Sequence, residues 1–157
     1  MYKKILVPHA GTPAGDLALK HAIHIAKSSS SEIILLHVIE DFPHVPILAS
    51  HASLANKIKK EIAKVTKEMK AVMEKEMLSR IDIFKKNKIK SHLKIVTGLP
   101  SEEILKIVKN QKIDLIVMAK SKKLKGIKGL LTLGSVSRKI MENTSCPVLM
   151  IDIEKND

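Results

Sequence analysis

The run Ile33-Ile34-Leu35-Leu36-His37-Val38-Ile39 is apolar throughout except for one histidine. A strand with one wet face alternates apolar and polar residues, whereas an unbroken run of this length marks a strand covered on both faces. Such strands belong to parallel sheets with helices packed above and below. The rest of the chain supplies the parts. Ile5-Leu6-Val7-Pro8 is a short strand closed by proline, with Tyr2 to Lys4 leading in. Gly11, Pro13 and Gly15 read as a loop, and from about Thr12 to Lys27 the residues Leu17, Ala18, Ala22, Ile25 and Ala26 keep helical spacing until Ser28 to Ser31 break it.

Downstream, Asp41 to Ser50 contains Pro43 and Pro46 and reads as a loop. A long helix is expected over Ala52 to Lys86, with Leu54, Ile58, Ile62, Val65, Met69, Val72, Met73 and Met77 as its buried stripe and Lys and Glu on its other face. Met69, Met73 and Met77 have the spacing of an adaptable binding groove, but they continue the aliphatic stripe and read as core. Ser91 to Val96 is a third strand. Gly98 and Pro100 punctuate, and Ser101 is the expected N-cap of a helix with Glu102 and Glu103 in its first turn and Ile104, Leu105, Ile107 and Val108 on its apolar side. Ile113 to Ala119 is strand four, Gly134 to Glu142 a last helix, and Pro147 to Ile153 a last strand. The order β-α-β-α-β-α-β-α-β implies an open α/β sheet with right-handed crossovers. One domain over residues 1–153 is expected, with 154–157 as a frayed tail.

Composition narrows the partners. Lys and Arg number 28 against 16 Asp and Glu, a net charge of +12 that favours anions such as nucleotides, nucleic acid or acidic lipid headgroups. The lysines are spread along the chain, which also suits plain solvation. Aromatic residues are only 2%, too few for a surface that stacks bases, and no groove-reading motif is visible, so nucleic acid ranks last. Cys146 is the single cysteine, which forbids an internal disulfide and fits a reducing cytoplasm. No apolar run reaches the length of a membrane span, and Tyr2 to Val7 is too short for a signal sequence. The expected localisation is cytoplasmic, with no membrane partner.

In open α/β sheets ligands collect outside the carboxyl ends of the strands, where the strand order reverses. If strands one and four are neighbours, the loop Pro8-His9-Ala10-Gly11-Thr12 faces the segment from Lys120 onward. That segment lies within MAKSKKLKGIKGLLTLGSVS, Met118 to Ser137, which holds Lys120, Lys122, Lys123, Lys125 and Lys128 beside Gly126, Gly129 and Gly134. Gly134-Ser135 opens the last helix, whose free N–H groups and positive dipole end suit a phosphate. Ser135 and Ser137 add hydroxyls, although Ser135 also fits a first-turn residue bonded to its own backbone. The lysines read equally as point charges for an anion or as a solvated loop. His9 reads as a solvated loop residue, and His37 as a hydrogen-bonded core residue. His21 and His24 share a helix face but lack a third metal ligand, and His44, His51 and His92 have no clear partners. No nucleophile, base and metal gather in one place, so no catalysis is expected.

Six short motifs in order carry a resemblance: Ile5-Leu6-Val7-Pro8, Leu36-His37-Val38, Gly98-Leu99-Pro100, Asp114-Leu115-Ile116-Val117-Met118, Gly134-Ser135-Val136-Ser137 and Cys146-Pro147-Val148-Leu149-Met150. Over essentially its full length the chain resembles the universal stress proteins of the UspA type. The resemblance implies a five-stranded parallel sheet of order 3-2-1-4-5, of the adenine nucleotide alpha hydrolase-like type. It also implies a homodimer paired through the last strands, and, in one branch, binding of ATP, AMP or another adenine nucleotide, with Mg2+ only as the nucleotide's companion. The apolar edge Val148, Leu149, Met150 and Ile151 is the expected dimer contact, since an unpaired edge is a liability that a two-fold partner removes. Cover by the chain's own Asp41 to Ser50 loop is the alternative.

Carried over residue by residue, the nucleotide site comprises Pro8, His9, Ala10, Gly11, Val38, Met118, Ala119, Lys120, Lys122, Gly134, Ser135, Val136 and Ser137, with Pro8, Val38 and Met118 packing the base. The chain departs from the pattern of the binding branch. Ala119 and Lys122 stand where that pattern has glycines, the following loop is longer, and Ala10 replaces an aspartate that faces the adenosine. Two expectations stand side by side: a dimeric stress-response protein binding an adenine nucleotide or related phosphorylated ligand, and a dimeric adaptor for protein partners that binds none.

Overall fold

The computed structural model describes residues 1–40, 52–120 and 134–152. In chain order its elements are β1 (Lys4–Pro8), α1 (Pro13–Ser29), β2 (Glu32–Glu40), α2 (Ala52–Lys86), β3 (Ser91–Gly98), α3 (Pro100–Gln111), β4 (Leu115–Ala119), α4 (Ser135–Asn143) and β5 (Val148–Ile151). All strands are parallel and their order is β3-β2-β1-β4-β5, as the resemblance implies. The reversal of strand order falls between β1 and β4.

Alternation along the strands divides the interior into two layers. Ile5, Val7, Ile33, Leu35, Leu115 and Val117 meet α1 and α2 on one face. Leu6, Ile34, Leu36, Ile116 and Met118 meet α3 and α4 on the other. Both faces of β1, β2 and β4 are thus covered, which is why these strands read as unbroken apolar runs. The loop expected over Asp41 to Ser50 lies outside the described residues, as does most of the Met118 to Ser137 segment.

Two helix starts differ from expectation, both because of proline. Pro13 and Gly15 belong to α1 rather than to a loop. Thr12 is the N-cap, its Oγ1 accepting from the Gly15 N–H at 3.3 Å, and Pro13 takes the first helical position. Likewise α3 begins at Pro100 with Leu99 as N-cap, so Ser101 lies inside the first turn and is buried instead of capping. Proline's fixed φ suits the first helical position, where no N–H is needed.

The long helix α2 has the expected bounds, but its stripe is not buried along its whole length. Met77 is fully buried together with Ile81 and Phe84, and Met73 packs against that cluster. Ile62, Val65, Met69 and Val72 are 41%, 49%, 40% and 64% exposed. Periodicity fixes which face is apolar, not how far the sheet extends beneath it. The nine residues of β2 span about 30 Å, whereas the 35 of α2 span about 52 Å. The amino-terminal half of the helix therefore runs past the sheet.

Candidate functional site

The site is built on a gap in the sheet. His9 donates its backbone N–H to the Leu36 carbonyl on β2 at 2.8 Å, while Lys4 accepts from Asp114 beside β4. Successive residues of a strand point their backbone groups to opposite neighbours, so even-numbered residues of β1 face β4. Pro8 is one of these and has no N–H to give. The β1–β4 register accordingly comprises Ile5↔Leu115 and Leu6↔Ile116, while β1 stays in register with β2 through Pro8↔Leu36. The carboxyl ends of β1 and β4 beyond these pairs are the switch point, where open α/β sheets take their ligands.

The residues around the switch point are apolar. Pro8 lies two residues beyond Leu6 and so faces the α3 and α4 side. Val38 and Met118 are on that side too, and Val136 of α4 packs on the same cluster. Pro8 and Val38 are half-buried, open enough to meet a ligand. Above them stands the start of α4. Gly134 is its N-cap, has no side chain to satisfy the first-turn N–H groups, and no acidic residue lies in that turn. Ser135 is exposed and Ser137 buried. The structure thus brings Pro8, Val38, Met118, Gly134, Ser135, Val136 and Ser137 to one end and one face of the sheet.

Of the other expected site residues, His9 and Gly11 face α1 and α2. His9 is buried rather than solvated, its side chain turned toward α1. Its Nδ1 accepts from the Gly11 N–H at 3.0 Å, so the ring proton sits on Nε2, which donates to Asp16 Oδ1 at 3.0 Å. Gly11 has a positive φ of 77° and lies under α2, where an added Cβ would stand 3.4 Å from Met73 Cε. Ala10 is exposed. Ala119 is half-buried at the end of β4, and the next residue's N–H is held by the Ile151 carbonyl at 2.8 Å. Lys120 directs its Nζ to Asp152 Oδ2 at 2.7 Å, beside β5. Lys122 lies outside the described residues.

Sequence reasoning missed a polar network behind the switch point. His37 is in the core as expected, and its Nδ1–H donates to the His9 carbonyl at 2.8 Å. Asp16 accepts from His9 and also from Arg80, whose Nε and Nη2 lie 2.6 and 3.3 Å from its two carboxylate oxygens. Arg80 in turn reaches Glu76 one helical turn earlier. Burial and the Arg80 charge hold His9 below its ordinary imidazole range, against the pull of Asp16. Hydrogen bonding from Arg80 holds Asp16 below the usual carboxylate range. The traceable signals were the i, i+4 pair Glu76 and Arg80 and an acid in the first turn of α1. The same residues line a groove of about 430 Å³ between α1 and α2, with Leu19 and Ile23, on the far face of the sheet from Val38 and Met118.

Among the described residues no helix is long and apolar enough to cross a membrane, and no three His, Cys, Asp or Glu side chains converge as a metal site. The exposed pair His21 and His24 stays on the surface of α1.

A parallel sheet of order β3-β2-β1-β4-β5 with helices on both faces defines an open, doubly wound α/β protein. The chain belongs to the universal stress protein family, whose family model matches residues 1–152. It is 31% identical to universal stress protein MJ0531 of Methanocaldococcus jannaschii, over 100% of this chain and 86% of that one. The solved structure of MJ0577, from the same organism, superposes with a TM-score of 0.80 at 27% identity, covering 100% of this chain and 99% of that one. A universal stress protein from Arabidopsis thaliana, solved with AMP bound, superposes with a TM-score of 0.62 at 18% identity over 99% and 94% of the two chains.

Proposed function

We propose that this universal stress protein holds an adenine nucleotide, or a related phosphorylated ligand, in the crevice between β1 and β4 without catalysing its conversion. The phosphate sits on the first turn of α4, bound by the N–H groups after Gly134 and by the Ser135 and Ser137 hydroxyls. The base lies against Pro8, Val38 and Met118. The observation that carries this reading is the shared placement of apolar residues at the switch point and a helix start with no side-chain cap on one face of the sheet. The AMP carried by the Arabidopsis relative, a protein of the same fold, is consistent with it. Lys120, engaged by Asp152, takes no part, and His9 and Gly11 serve by shaping the β1 loop rather than by touching ligand.

Two copies pair through β5, whose residues Val148, Leu149 and Met150 are half-buried at the sheet edge. The free thiol of Cys146 beside this strand accords with a reducing cytoplasm.

Native mass spectrometry followed by a thermal-shift panel of ATP, ADP, AMP and inorganic phosphate tests the nucleotide reading. A retained nucleotide, or a rise in Tm with an adenine nucleotide that Gly134→Val abolishes, supports it. Gly134 has φ −63° and ψ 158°, open to any residue, so the variant folds while its side chain blocks the phosphate. The second reading, an adaptor that binds no nucleotide, draws on Ala119 and on the Lys120–Asp152 pair, and it predicts a flat response throughout.

A further inference from the structure

The amino-terminal half of α2 is an arm. Gly11, at the carboxyl edge of the sheet, lies against Met73, Glu76 and Met77, so α2 passes that edge there. The residues from 52 to 72 extend beyond it by about 30 Å. Along this arm the apolar residues Ile58, Ile62, Val65, Met69 and Val72 are spaced four, three, four, three, the heptad interval of a coiled-coil seam. The last four are 40–64% exposed. Two heptads are short for an isolated coiled coil, but this helix is already formed, since Met77, Ile81 and Phe84 anchor it to the sheet.

We propose that the arms of two copies of this chain pair antiparallel through that seam. The charges beside it choose the partner and the direction. Glu61 and Lys75 flank the seam on one side, each seven residues from Glu68. A two-fold axis near Glu68 sets Ile62 opposite the partner's Val72 and Val65 opposite the partner's Met69. It also sets Glu61 beside the partner's Lys75, twice over, against one like-charge contact between the two Glu68 side chains on the axis. Parallel pairing puts Glu61 beside Thr66 and Glu68 beside Met73 and forms no ion pair. Self-complementarity about a two-fold axis is what an isologous interface requires. The other lysines of the arm lie mainly away from the seam and keep its outer face in water. Because α2 packs over β2 and β3, the arm stands at the opposite side of the sheet from β5, and the two pairings are independent.

Sedimentation velocity of the full chain tests the arm pairing. Val65→Lys with Met69→Lys alters only exposed positions, so the fold, checked by circular dichroism, is kept while the mass of the main species halves. The halving is expected again in a Leu149→Lys background, which separates this pairing from that of the β5 edge. Glu61→Lys weakens association, and adding Lys75→Glu restores it. Equal masses for the wild type and Val65→Lys/Met69→Lys at every concentration, as cover by another segment or another protein would give, overturn the proposal. So does a charge reversal that Lys75→Glu fails to rescue.

Discussion

The His9 ring occupies the space that a side chain at Gly15 would need: a Cβ there would stand 2.8 Å from His9 Nε2. In an ordinary helix, glycine to alanine stabilises by up to about 1 kcal/mol. Here the buried ring cannot step aside, and Gly15→Ala is expected to destabilise by about 1–3 kcal/mol. In a His9→Ala background the same change reverses sign. Urea denaturation of the four proteins of this cycle measures the coupling, and additive effects contradict the packing.

Acid removes stability in two steps. His9 is held neutral in the fold, below its ordinary pKa near 6.5, chiefly by burial and then by Arg80. The unfolded chain therefore binds the extra proton first, so this contribution is complete above about pH 6.5 and declines as the pH falls below it. Protonating Nδ1 also breaks the bond from the Gly11 N–H. Asp16, lowered by its hydrogen bond from Arg80, contributes fully above about pH 3.9 and loses its share as the pH falls further. Tm measured across this range shows both steps, and His9→Asn removes the upper one.

Asp16 accepts hydrogen bonds from both His9 and Arg80. Asp16→Ala leaves an inward-facing guanidinium and a buried ring N–H without that acceptor, and a loss of about 1–2 kcal/mol is expected, moderated by water at the half-exposed carboxylate. Asp16→Asn keeps one acceptor oxygen and costs less. Equal stability of Asp16→Ala and the wild type in urea would remove this network from the account.

Lys120 is expected to matter for the sheet edge and not for the ligand. Lys120→Ala removes one partner of Asp152 at the end of β5 but leaves the nucleotide-induced Tm shift unchanged. Loss of the shift in that variant would place the lysine at the phosphate.

Much of this architecture was legible in the chain itself. The unbroken run Ile33 to Ile39 required cover on both faces, and the alternation of elements required a parallel sheet. The switch point followed from strand order, and Pro8, Val38 and Met118 do share a face. What the sequence hid was set by partners far along the chain. His9 read as a solvated loop residue because its environment comes from Gly15, Asp16 and Arg80. Lys120 read equally as a point charge for an anion or as part of a solvated loop, because its partner Asp152 lies 32 residues away. The α2 stripe read as buried because a period of 3.6 continues whether or not a sheet lies beneath it.

The most direct test of the central claim is a titration of the isotope-labelled protein with AMP, followed through its backbone amides by NMR. The crevice reading predicts that the amides of Ser135, Val136 and Ser137 move together with those of Val38 and Met118, along one saturating curve, and that Gly134→Val abolishes the movement. Amides that stay still at saturating AMP, or shifts confined to the lysine-rich outer face of α2, would contradict it.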